Sequence, residues 1–202
     1  MNGYGTLAQV DYSPSIGTVD EPITLEQARV FLALPLMPPM SAGREAELTV
    51  MLTTAREIAE EEWGGDIKLK QYRLTLDYWP ECEVPLRFPL ASVDLVRYRN
   101  SAGTWVDLAE GTDYIVDLVK GIIMPPYLGS WPTATLWPSS AVEIYFSAGY
   151  AGYAKLPQKL LQGMQMLISH WFTVKLPVEA LAADAVEIPW TVSRLLKGTP
   201  RP

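Results

Sequence analysis

Residues able to do chemistry are few in this chain, and their spacing limits what they can support. His170 is the only histidine and Cys82 the only cysteine. A structural zinc site draws four ligands from Cys and His, so this pair leaves no tetrahedral set. A Ser-His-Asp triad would have to use His170, but no G-x-S-x-G elbow or comparable nucleophile signature accompanies it. Cys82 stands between Glu81 and Glu83, where negative charge disfavours the thiolate, and it reads as a loop thiol. No catalytic, cofactor or metal residue is expected, and the chain is not expected to be an enzyme.

Carboxylates are denser. Glu57, Glu60, Glu61 and Glu62 crowd the end of one predicted helix, and Asp66 follows. Acid–base work needs one carboxyl kept neutral by burial, whereas most of these fall on the solvent side of the helical wheel. Negative charge at a helix C-terminus also opposes the macrodipole, an effect partly offset by Arg56 at i,i+4 from Glu60. Glu57, Glu60 and Glu61 are therefore expected to form an acidic surface. It is either a solvated face, a match for a basic neighbour, or the wall of a passage that repels polyanions. Lys68 with Lys70, and Arg97 with Arg99, sit at i,i+2 and share strand faces. They suit an acidic helix of an adjacent subunit, or a charged strand edge that resists aggregation.

Three other constellations have two readings each. Gly149, Tyr150, Gly152 and Tyr153 lie between a predicted strand and a helix, as phosphate cradles do. Neither G-x-x-x-x-G-K nor G-x-G-x-x-G is present, and Pro157 stands where amide donors are wanted, so a flexible corner is expected. Near the end, "EIPWTVSRLLKG" brings Trp190, Arg194, Leu195 and Leu196 into helical turns. These residues either anchor onto a partner or dock back onto the chain's own core. Trp131 and Trp137, in a Pro-rich loop, are of a type that stacks on sugars. They keep a carbohydrate-binding module or hydrolase as an alternative from a different class.

The elements that must position these residues are legible as two periodicities. Thr24 and Gln27 fit a capping box, and Leu25, Ala28, Phe31 and Leu32 mark the inner face of a short helix ended by Pro35. After the linker "PLMPPMSAG", Leu48, Met51, Leu52, Ala55, Ile58 and Ala59 form a helical stripe that Gly64-Gly65 stops. From Tyr72 the period falls to two: Tyr72, Leu74, Leu76 and Tyr78 alternate with Arg73, Thr75 and Asp77. Further strands are expected at 84–88, 93–99, 105–108, 114–118, 121–124 and 142–146. About seven short strands at this spacing predict a small antiparallel sandwich or barrel. Pro157 suits a helix start, and Leu160, Leu161, Met164, Leu167, Ile168 and Trp171 make the inner stripe of that helix. Gly163, Met166 and His170 fall on its far side, either as a second contact surface or as ordinary partial exposure.

The predicted organisation is α+β: an N-terminal arm over 1–22, a helical bundle from 23–65 and 155–175, an inserted β domain over 66–154, and a C-terminal tail over 176–202. At 202 residues the chain can bury a real core, and 49% hydrophobic residues place it among folded proteins. A net charge of −7 offers no general attraction to nucleic acid, without excluding DNA that passes nearby unheld. No signal peptide is visible, no apolar run nears the ~20 residues that span a bilayer, and a reducing compartment is expected.

In order along the chain, "ITLEQARVFLAL", "ELTVMLTTAREIAEEEWGG", "YRLTLDYWP", "VPLRFPLASVDLVRYRNSAG", "DYIVD", "VEIYFSAGY", "LPQKLLQGMQMLISHWF" and "IPWTVSRLL" resemble the head–tail connector (head-completion adaptor) proteins of tailed double-stranded DNA bacteriophages. The succession carries the resemblance; no single piece is specific. Two departures are the proline-laden "PLMPPMSAG" linker and "HWFTVKLPV", which lacks a polar Tyr-x-x-Arg type ending. The resemblance implies a helical bundle with an inserted β domain, working in the virion at the head–tail interface after assembly in the host cytoplasm. It implies a ring, usually of twelve subunits, that sits under the portal protein and extends the DNA channel. The ring would also offer a docking face to a stopper or tail-completion protein, while duplex DNA passes through without specific binding. It implies no cofactor, no catalytic set and no membrane. Another neck component, such as a stopper, is the structural alternative.

Overall fold

Two kinds of hydrophobic periodicity give this chain two separate cores. The computed structural model describes residues 6–9, 21–35, 40–151, 155–174 and 190–197. These residues fall into two compact units: Leu69–Gly149 with strand β1 (Thr6–Gln9), and the described parts of 18–68 and 150–201. The class is α+β.

The helical unit starts with α1 (Leu25–Phe31), whose Thr24 and Gln27 make the reciprocal capping box that their spacing predicts. Its inner face buries Ala28, with Leu25, Phe31 and Leu32 packed around it. Helix α2 (Ala42–Trp63) buries Leu48, Met51, Leu52, Ala55 and Ala59. It ends at Gly64, whose φ of +75° is the left-handed geometry that favours glycine, with Gly64 N–H bonded to the Glu60 carbonyl. Helix α3 (Gln158–Val174) buries the whole stripe Leu160, Leu161, Met164, Leu167, Ile168 and Trp171. Helix α4 (Trp190–Leu196) adds Val192 and Leu196 to the same core. Chain entry and exit are tied together, since Tyr150 N–H bonds to the Ile67 carbonyl and Trp63 lies 5.8 Å from Tyr150, ring centre to ring centre.

The β unit contains two antiparallel sheets. Strands β2 (Lys70–Leu76), β4 (Leu90–Arg99), β5 (Trp105–Leu108) and β8 (Val142–Ala148) join β1 in the order β1-β2-β8-β4-β5. Strands β3 (Val84–Pro85), β6 (Ile115–Asp117) and β7 (Ile122–Met124) form the second, in the order β3-β7-β6. One face of the larger sheet contributes Tyr72, Leu74, Leu76, Val96, Val142, Ile144 and Phe146 to a core shared with Val84, Tyr114 and Ile123. Period-two alternation produces this division, because successive side chains of a strand leave opposite faces.

The sandwich reading therefore describes the β unit, and neither sheet closes into a barrel. The predicted N-terminal arm is corrected in part: Thr6–Gln9 pairs with β2, Thr6 opposite Thr75 and Gln9 opposite Tyr72. An edge strand needs only backbone partners, so it leaves little hydrophobic signature. Strand β2 also ends before Tyr78, which is exposed, and β3 stops at Pro85, which lacks an amide donor for a longer ladder.

Candidate interaction surface

The acidic end of α2 is less of a surface than its sequence suggests. Arg56 turns inward, with 9% of its side chain exposed. Its guanidinium donates to Glu21 at 2.9 Å, Glu60 at 2.7 Å and Glu57 at 3.3 Å. The other oxygen of Glu60 accepts the backbone N–H groups of Ile67 and Lys68 at 3.0 and 3.2 Å. Burial opposes the charge on Arg56, but Glu60, Glu21 and Glu57 outweigh it and hold its pKa above the ordinary arginine value. Glu60 is thus a structural clamp between the helix end and the chain that follows, and its expected place on the acidic surface is corrected. Glu57 and Glu61 are exposed. Lys68 is 3.4 Å from Glu21 and so is engaged within its own chain.

Residues of the C-terminal helix divide by face. Leu196 and Val192 are fully buried, Leu195 is half-buried and Arg194 is exposed. Of the two readings of this segment, docking onto the chain's own core accounts for Leu196; Trp190 opens α4, and its side chain lies outside the described residues. The receiving notch is Gly163, where an added Cβ would come within 2.6 Å of Leu196 Cδ2. Gly163 is therefore buried under α4, not on an outer face, while Met166 and His170 of α3 are exposed. Flanking bonds tie the helix down, Ser193 to Glu62 at 3.2 Å and Lys159 to the Lys197 carbonyl at 3.4 Å. A Gly163→Leu substitution fills the notch and should release α4. The expected readout is rapid limited proteolysis after residue 175 with the rest of the chain resistant; wild-type resistance of the whole chain would refute the lock.

The tryptophans considered as sugar platforms have other partners. Trp131 is buried and stacks on Trp79 with ring centres 4.4 Å apart and planes 6° from parallel. It offers no open face to a sugar. Trp137 remains partly exposed, with the Arg99 guanidinium 4.3 Å from its ring centre.

That contact belongs to a larger arrangement on the outer face of the five-stranded sheet. Register places Arg97 opposite both Glu143 and Asp107, Arg99 opposite Trp105, and Arg73 opposite Tyr145. Arg97 donates to Glu143 at 2.7 and 2.9 Å and to the Tyr145 hydroxyl at 3.3 Å. Its guanidinium also lies 4.6 Å from the Trp105 ring and 5.4 Å from the Tyr145 ring. Desolvation works against its charge, yet the bond to Glu143 and the nearby Tyr145 raise its pKa. Trp105 also meets the Arg99 guanidinium, at 6.0 Å, giving the alternating series Tyr145, Arg97, Trp105, Arg99, Trp137. The i,i+2 spacing of the two arginines announced a shared face. The aromatic partners were findable too, since the turn Asn100–Thr104 folds Trp105 back opposite Arg99.

Three solved assemblies contain chains of similar fold. A chain from the neck of an empty GTA particle computed with C6 symmetry superposes with a TM-score of 0.67 at 20% identity, covering 98% of this chain and 100% of that one. A chain from the virion of a native gene transfer agent (GTA) particle gives 0.64 at 21% identity, covering 96% of each chain. A chain from the neck of a native GTA particle computed with C12 symmetry gives 0.61 at 19% identity, covering 98% and 100%. At these identities the likeness is one of fold. No family model matches the chain, and no curated protein does. Among the described residues, no group of three or more His, Cys, Asp or Glu side chains is placed to hold a metal, and no helix is long and apolar enough to cross a membrane.

Proposed function

We propose that this chain is a structural component of the neck of a phage-like particle: a head-to-tail adaptor that assembles as a ring under the portal. The observation that carries the proposal is the end-to-end match with a neck-derived chain, 98% of this chain onto 100% of that one at a TM-score of 0.67. A match over both full lengths concerns the whole arrangement of elements, not a common motif inside unrelated proteins. The six- and twelve-fold symmetries used for the neighbouring necks support a ring of identical subunits, and we assign twelve. Closed cyclic symmetry then requires two different faces on each subunit, one meeting the other around the ring.

In this reading the ring continues the DNA channel of the portal and offers its opposite face to the next neck component. The work is geometric, with no bond made or broken, no cofactor, and the virion as its location. A net charge of −7 suits a part that duplex DNA traverses without being held, although screening over ~8 Å limits the reach of that repulsion.

Mixing the purified protein with the portal of its particle and imaging the product by electron microscopy tests the assignment. Rings of one fixed copy number seated on the portal are expected. A protein that leaves the portal bare at every concentration overturns the adaptor role.

A further inference from the structure

We infer that the guanidinium–aromatic face of the five-stranded sheet docks a carboxylate from a second copy of this chain, and that the carboxylate comes from the exposed acidic stripe of α2. The inference rests on the ring reading above and names one contact within it.

Arg97 and Arg99 occupy equivalent positions in the aromatic series but are not equivalently satisfied. Arg97 lies over Trp105 and Tyr145 and binds the carboxylate of Glu143 with two nitrogens. Arg99 lies over Trp137 and Trp105 in the same manner, and the only hydrogen bond its side chain makes among the described residues runs from Nε to the Gly103 carbonyl at 3.0 Å. Among the described residues the arrangement is thus repeated without its carboxylate. The site is nevertheless held firmly. Trp137 N–H bonds to the Arg99 carbonyl at 2.9 Å, and Asn100 Oδ1 accepts from Ala102 and Thr104 across the turn. Gly103 supplies the left-handed φ of +81° that this turn requires, and it lies against both groups, since a Cβ there would be 3.5 Å from Arg99 Nη2 and from the Trp137 ring. A stacked, oriented guanidinium loses little freedom when it binds a carboxylate, and planar two-point recognition is what arginine does best. On the same face Arg73 keeps a buried Nε with no hydrogen-bond partner among the described residues.

Charge decides between protein and nucleic acid as the occupant. The chain carries −7 overall, so a polyanion meets net repulsion, whereas one carboxylate on a neighbouring copy needs only the local cationic spot. Helix α2 supplies the complement. Glu47, Val50, Thr54, Glu57 and Glu61 recur at helical spacing, and Glu47, Val50, Glu57 and Glu61 are exposed. Glu57 and Glu61 are one turn apart, about 6 Å along the axis. Arg97 and Arg99 are separated by about 7 Å along their strand. Glu61 can therefore take Arg99 while Glu57 lies beside Arg97. Two different faces of one subunit meet in this way, as a ring requires.

Sedimentation velocity over a range of concentrations, on wild type, Arg99→Glu, Glu61→Arg and the double variant, tests the contact. Circular dichroism serves as the check on folding. Self-association of the wild type should weaken about tenfold to a hundredfold in each single variant, the range of a charged hydrogen bond, and return in the double variant. The wild-type association should also weaken with salt. Wild-type rings that persist unchanged in Arg99→Glu overturn the contact but leave the ring reading standing. Loss in Arg99→Glu without rescue by Glu61→Arg overturns α2 as the partner. A wild type that is monomeric throughout, alone and on the portal, overturns both. Arg99→Glu that abolishes binding of a short DNA duplex while leaving self-association intact assigns the face to phosphate and refutes the proposal.

Discussion

Arg56→Ala should destabilise the helical unit by about 3–5 kcal/mol, the cost of breaking a buried ion network by deleting one partner. The side chain it removes is 9% exposed and stands between Glu21 and Glu60, whose own side chains are 24% and 11% exposed. Without the guanidinium, those two carboxylates face one another across a half-buried space. Glu60 retains its bonds from Ile67 and Lys68, so it cannot swing out to solvent without also freeing the chain that leaves α2. Glu57, which is mostly exposed, contributes little. Urea unfolding should show a lower midpoint with an unchanged slope. A companion variant separates the two terms: replacing Arg56 by Met together with Glu21→Gln and Glu60→Gln removes the charges as a set and should cost markedly less. An Arg56→Ala loss below about 1 kcal/mol would place this network among ordinary surface pairs.

Phe146→Ala should cost the β unit a comparable amount, about 3–5 kcal/mol. Phe146 is fully buried on β8, the middle strand of the larger sheet. It is paired with Tyr72 on one side and Val93 on the other, and its ring stacks on Tyr72 at 5.5 Å. A strand hydrogen-bonded on both edges cannot shift to close the cavity, so the transfer term and the cavity term add. Phe146→Leu keeps most of the volume and should cost roughly 1.5 kcal/mol or less. A drop in chemical stability that is equal for the two variants would show that the ring is not packed as described.

Much of the fold could be read directly because its two periodicities are local. The stripe of α3 from Leu160 to Trp171 and the alternation of Tyr72, Leu74 and Leu76 are both properties of consecutive residues, and both buried the predicted side chains. The same holds for the Thr24–Gln27 capping box. Thr6–Gln9 was not legible, since an edge strand draws its stability from another strand's backbone. The burial of Arg56 was not legible either: its i,i+4 spacing announced the pair with Glu60, but only the approach of Glu21, 35 residues earlier, made burial tolerable.

For the candidate surface, sequence determined by itself that Arg97 and Arg99 share a face, that Glu57 and Glu61 share a helical stripe, and that no familiar catalytic or metal-binding pattern is present. Tertiary structure alone decided which charges are spent inside the chain and which are left over. Glu143 satisfies Arg97, Glu60 closes on Arg56, and Leu196 fills the notch at Gly163, while Arg99 stays stacked without a carboxylate among the described residues. The physical reason is range. Periodicity acts between neighbours in sequence, but neutralising a charge or filling a notch depends on groups that only folding brings within about 3 Å.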